Sequence, residues 1–176
     1  MRPELFSANL PGAFVPTIMV PSRDESALLL AGVGTQGTVL IWTPGAGDPQ
    51  LVTFELPKLL AAWPDEVDGW VLLDAALRMH HVGSDGRLTS GVTLRLPQGA
   101  TPPAVHGVGV RLPVTALARD TVFAVYEHNG PRMALFSRAD GSLLWSAEGK
   151  ASSAVIYPPW HVVFVAEDGR VSRRSD

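Results

Sequence analysis

The chain has 176 residues, 46% of them hydrophobic and 18% charged, which excludes a disordered polypeptide and supplies the apolar side chains for a sizeable core. Its formal net charge is −3 and it has only two lysines, Lys58 and Lys150. The densest cationic patch, Arg170, Arg173 and Arg174, is too small to neutralise a run of phosphates, so nucleic acid is not an expected partner. Cysteine is absent, which rules out disulfides and thiolate metal sites.

From the N-terminus, Glu4 follows closely on Arg2, and Pro11, Pro16 and Pro21 interrupt any apolar segment, so no secretory signal is read there. The uncharged run Ser26 to Gly47 has the length of a membrane span. It carries Gly32, Gly34, Gly37, Pro44, Gly45 and Gly47, which fit two short strands better. No membrane partner is expected, and a cytoplasmic location follows by default. Strand-type runs then recur: Ala27–Leu30, Val39–Trp42, Leu51–Leu56, Trp70–Leu73, Val92–Leu96, Val122–Tyr126, Met133–Phe136, Leu143–Trp145 and Val162–Val165. Gly, Pro, Asp or Asn bound each of them. Helical periodicity is weak throughout, its best stretches being Pro57–Ala62 and Ala75–Met79.

Four segments repeat one pattern of strand, short turn and apolar strand. They are Thr17–Pro21 leading to Leu28–Leu30, Leu60–Pro64 leading to Trp70–Leu73, Thr115–Arg119 leading to Val122–Val125, and Ala154–Pro158 leading to Val162–Val165. The steps between them, 43, 55 and 39 residues from Val20 to Trp63, Ala118 and Tyr157, have the size of a four-stranded blade. Acids close the second strand in three units, at Asp74, Glu127 and Glu167. Asp-Gly turns open the fourth strand at Asp85-Gly86 and Asp140-Gly141, where positive φ suits a tight hairpin. The expected fold is therefore all-β and β-propeller-like, a single domain over 1–176 made of about four four-stranded meander blades. The Pro/Gly-rich loop Pro97–Pro103 joins two two-blade halves, 1–96 and 108–176. The last unit shows no fourth strand before Asp176, and the strand-like segment Glu4–Ala8 is expected to complete that blade, since an open edge exposes unpaired backbone groups.

The run Ala139-Asp140-Gly141-Ser142-Leu143-Leu144-Trp145, with Ala154-Val155 and the stretch Val162 to Val171, resembles the repeat of the quinoprotein-like (PQQ-type) β-propellers over residues 115–172. In that family a Gly turn precedes by four residues a Trp that docks between blades, and Gly141 and Trp145 fit. The first two units share only the strand rhythm, with Phe54 and Leu94 near the Trp position. The resemblance implies a fold and a binding scaffold. It does not imply the dehydrogenase activity, because the calcium site and vicinal disulfide of those enzymes have no counterpart among these residues. No cofactor is expected.

No motif dictates a reaction. His80 and His81 are adjacent on a strand and point to opposite faces, so they do not share a metal. His161 opens an apolar strand, and His128 sits in the turn His128-Asn129-Gly130. There is no Gly-x-Ser-x-Gly elbow to build a Ser-His-Asp site around. Gly32-x-Gly34-x-x-Gly37 has the letters of a dinucleotide fingerprint, but it leads into a strand instead of a helix and reads as a turn. The expected binding residues fall on two propeller faces. Asp74, Glu127 and Glu167, with Arg78, His128 and Arg132, are expected to ring one mouth. Trp63 and Trp160 lie at the opposite face as anchors for a protein partner. The leading expectation is a non-catalytic protein-binding or scaffold module. The alternatives are a hydrolase or lyase with a site in the central mouth, and a half-propeller that assembles as a homodimer.

Overall fold

The computed structural model describes residues 9–10, 14–16, 18–32, 38–45, 50–54, 56, 59–101, 114–118, 121–149, 151–157, 161–166 and 171–174. Among these every regular element is a strand. The chain is all-β and propeller-like, a run of antiparallel meanders in which strands adjacent in sequence are adjacent in the sheet. The first sheet comprises β1 (Ile18–Pro21), β2 (Leu28–Ala31), β3 (Thr38–Trp42) and β4 (Gln50–Thr53). The second comprises β5 (Leu59–Pro64), β6 (Trp70–Asp74), β7 (Arg78–Val82) and β8 (Leu88–Thr93). The third comprises β9 (Val114–Ala118), β10 (Thr121–Glu127), β11 (Pro131–Ser137) and β12 (Leu143–Glu148). The fourth has three strands, β13 (Ala151–Tyr157), β14 (His161–Ala166) and β15 (Val171–Arg174). The four repeats anticipated from the sequence each begin one sheet. The segment Glu4–Ala8, expected to complete the fourth, lies outside the described residues.

Of the stretch with the best helical periodicity, Pro57–Ala62, the described part from Leu59 is instead the start of β5, where Ala61, Ala62 and Trp63 pair with Leu73, Leu72 and Val71. The second such stretch, Ala75–Met79, is a turn that runs into β7. Both are too short to repay helix nucleation, and an apolar strand alongside offers every backbone group a partner.

By density of contact the chain forms two compact units. One contains Met1–Asp74, His80–Ser90 and Gly107–Gly109, and the other Ala75–Met79, Gly91–His106 and Val110–Asp176. In the first, β2, β3 and β6 are buried at consecutive positions, including Leu29, Leu30, Val39, Leu40, Trp70, Val71 and Leu72. Consecutive burial means that both faces of a strand are covered, unlike the in–out alternation of a sheet with one wet face. Each such Leu or Val contributes roughly 1.5–3 kcal/mol. Fully buried Trp70 also donates its Nε1–H to the Val20 carbonyl at 3.0 Å, linking the second sheet to β1 of the first. The part of β8 in this unit, an edge strand of its sheet, is exposed and polar at Thr89 and Ser90.

In the second unit, Tyr126 and Phe136 are buried with ring centroids 6.5 Å apart, tilted by 60°. The Asn129-Gly130 turn between β10 and β11 has positive φ at both residues, 53° and 113°, and closes through His128 N–H to the Gly130 carbonyl at 2.8 Å. The Asp140-Gly141 turn opens β12 as its letters indicate. Gly141, at φ 73°, presses against the backbone of Thr93, and its carbonyl accepts from Arg95 N–H at 2.8 Å.

Candidate functional site

The turns after β1, after β5 and after β7 in the first unit surround an open hollow of about 440 Å³. The β1–β2 turn is held from within. Asp24 Oδ1 accepts from Ser22 Oγ at 2.7 Å, Ser26 Oγ at 2.8 Å and Ser26 N–H at 3.2 Å, and Ala27 N–H donates to Ser22 Oγ at 2.9 Å. These donors, Ser22 foremost, hold the Asp24 carboxyl below its ordinary value. The β5–β6 turn closes through Asp65 N–H to the Gly69 carbonyl at 2.9 Å. Gly69 has φ 69°, and a Cβ there would fall 2.0 Å from the Val82 carbonyl oxygen, so only glycine fits. Asp68 Oδ2 accepts from Ser84 N–H at 3.0 Å, which depresses its carboxyl. The other carboxyl of this turn, Asp65, lies 3.5 Å from His81 Nε2, which also contacts the Asp68 carbonyl at 2.6 Å.

Four carboxylates, Asp24, Asp65, Glu66 and Asp68, thus line the hollow against one guanidinium, Arg23. Between them Val67 stands 95% exposed at the tip of the turn. Fixed acidic walls with an exposed apolar contact suit a cationic, partly apolar segment.

A second constellation lies inside the same unit. Asp74, at the end of β6, is 2% exposed, and its Oδ2 is 2.7 Å from Nε2 of His80, itself 3% exposed on β7. A carboxylate only accepts, so Nε2 carries the hydrogen toward Asp74; in the neutral imidazole Nδ1 is then the acceptor. Nδ1 faces Ser90 Oγ on β8 at 3.4 Å. Ser90 is exposed, so the chain runs from the interior to the surface. Sequence reasoning did not single out Ser90. Residues 74, 80 and 90 carry no motif spacing, and pairing across three adjacent strands is what brings them together.

The residues expected from the sequence take the following places, each within its own unit. Asp74 is buried against His80 and does not rim a solvent-filled opening. Arg78 is exposed, with Nε 3.4 Å from Thr93 Oγ1. His128 is half-buried in its turn, and Arg132 Nη2 donates to Glu148 Oε1 at 3.0 Å. Glu127 ends β10, and its side chain lies outside the described set. Glu167 and Trp160 lie outside the described residues altogether. Trp63 is 9% exposed, so it is a packed residue of β5, and its Nε1 is buried without a hydrogen-bond partner. His80 and His81 do face opposite ways, one into the sheet and one toward the acidic turn. Trp145 is half-buried on β12 beside Leu135. Gly32-x-Gly34-x-x-Gly37 joins the antiparallel neighbours β2 and β3, with residues 33–37 outside the described set. Among the described residues no group of three or more His, Asp or Glu side chains is arranged to hold a metal ion. No helix among them is long and apolar enough to cross a membrane.

No family model and no curated protein matches the chain. Solved structures do. The computationally designed Ika4 protein is 16% identical with a TM-score of 0.61, over 99% of this chain and 98% of that one. The C-terminal WD40 domain of Sif2 is 15% identical with a TM-score of 0.59, over 96% of this chain and 57% of that one. BamB from Moraxella catarrhalis is 14% identical with a TM-score of 0.55, over 90% of this chain and 49% of that one. The chain therefore spans about half the length of the BamB and Sif2 chains it matches. At these identities the likeness is one of fold, and the fold it shows is of the β-propeller type.

Proposed function

We propose that this chain is a protein-binding module whose acidic hollow receives a cationic segment of a partner protein. The observation that carries the reading is the set of four carboxylates around a hollow whose turns are fixed by their own hydrogen bonds. A propeller-type fold without a reaction motif supports an interaction role at the level of association, since fold alone does not set function. The negative rim repels phosphates, which also favours a protein over a nucleic acid.

The test measures binding of fluorescent peptides, Arg/Lys-rich against charge-neutral permutations, to the 176-residue chain at two salt concentrations. Exposed charge pairs contribute roughly 0.2–1 kcal/mol each, and reversal adds repulsion. Asp65→Lys combined with Glu66→Lys is therefore expected to weaken cationic-peptide binding about 10–30-fold. The remaining affinity is expected to lose most of its salt dependence. Equal binding of charged and neutral peptides, or unchanged affinity in the double variant, refutes the hollow as the recognition surface.

A further inference from the structure

We propose that Ser90 is a covalent acylation site, primed by Asp74 through His80, that accepts the acyl group of an activated ester. The inference is independent of the peptide-binding reading and concerns different residues. A buried Asp–His contact that served only to hold β6 to β7 needs Nε2 alone. Here the second ring nitrogen is also directed at a hydroxyl, and that hydroxyl is the exposed member of the three. With Nε2 held by the Asp74 carboxylate, Nδ1 is the ring nitrogen that faces the hydroxyl and receives its proton in the step below. The Oγ–Nδ1 separation of 3.4 Å is long, as such contacts often are before a reactant is bound. The ring nitrogens are used in the opposite sense to the common serine triad, but the proton path is chemically equivalent.

The step balances with the ester alone. Ser90 Oγ forms a bond to the acyl carbon while its proton passes to His80 Nδ1. The bond from the acyl carbon to the leaving oxygen then breaks, and the proton passes from Nδ1 to the departing alcohol. The products are acyl-Ser90, neutral His80 and the alcohol. Asp74 is a positioning residue in this scheme, since it acts only through His80.

The probe is p-nitrophenyl acetate on the intact chain, with release of p-nitrophenol followed by absorbance and the acetylated residue mapped by mass spectrometry. Acetylation at Ser90 is expected to exceed that at exposed Ser84 by at least about tenfold. Ser90→Ala abolishes it at that position. Asp74→Asn keeps an acceptor for Nε2 but removes the charge, and is expected to slow Ser90 acetylation about tenfold or more with an unchanged far-UV spectrum. A second measurement does not depend on a core substitution. The chain has no cysteine, so Ser90→Cys and Thr89→Cys each introduce a single thiol on neighbouring exposed positions of opposite faces. Iodoacetamide is expected to alkylate the thiol at position 90 about tenfold faster than the one at position 89. Ser90 acetylation no greater than at Ser84, or equal alkylation at the two positions, overturns the proposal.

Discussion

Replacing Gly141 with alanine tests the packing of the second unit at a close backbone approach. Gly141 has φ 73°, and a Cβ built on it would lie 2.0 Å from the Thr93 carbonyl oxygen, 2.8 Å from the Thr93 carbonyl carbon and 3.0 Å from Val92 Cγ1. The first of these is about 1 Å inside the closest approach that real Cβ atoms show, and the obstacle is backbone, which cannot rotate away. Two costs combine. Left-handed φ in a non-glycine residue costs roughly 1–2 kcal/mol. Moving the strand end to relieve the clash also loosens the Arg95 N–H to Gly141 carbonyl bond of 2.8 Å, at roughly 1 kcal/mol or more. We expect Gly141→Ala to destabilise by about 3 kcal/mol, a large fraction of the stability of an ordinary domain. Gly130→Ala provides the internal reference. Its φ is 113°, nothing lies within 4 Å of the added Cβ, and only the conformational cost of about 1–2 kcal/mol applies. The assay is urea unfolding followed by tryptophan fluorescence, with the slope m compared between variants. Equal losses for Gly141→Ala and Gly130→Ala would refute the close approach of the turn to Thr93.

Two further outcomes are expected. The Asp140 carboxyl is lowered from 3.8 to about 2 by hydrogen bonds from Ser137 and then Ser142, so its contribution to stability is complete above the unfolded value and is lost as pH falls through about 2. Carboxyl NMR titration should find a midpoint near 2 that moves up toward 3.8 in Ser142→Ala, and an unmoved midpoint would sink that assignment. Trp70→Phe keeps most of the buried ring but removes the donor to the Val20 carbonyl, and is expected to destabilise by about 1–3 kcal/mol in the same urea assay. A loss no larger than a few tenths of a kcal/mol would show that this bond does not hold the second sheet to the first.

Most strands were legible because their signals are local, although the run Val92–Leu96 catches only the end of β8, Leu88–Thr93. Trp70-Val71-Leu72-Leu73 reads as an apolar run bounded by Gly69 and Asp74, and it is β6. Asp140-Gly141 reads as a hairpin turn, and φ 73° at Gly141 shows why glycine stands there. The rhythm of the four repeats also fixed sheet order, since short turns between consecutive strands permit only antiparallel neighbours. Pro57–Ala62 misled because alanines and leucines suit helix and buried strand alike, and only the partner strand arbitrates.

Burial and convergence were not legible, and they govern the site. The sequence marks Asp74 as an acid ending a strand, with nothing to show whether it meets water or His80. Ser90 is one serine in a polar edge strand until β6, β7 and β8 are laid side by side. The acidic hollow draws on turns about 40 residues apart in the chain, Ser22–Ala27 and Asp65–Gly69. Sequence alone determined the strands and their tight turns, because φ preference and side-chain alternation act over a few residues. Tertiary structure alone decided which polar groups are buried and which meet, because pairing register and sheet packing set distances between residues remote in the chain.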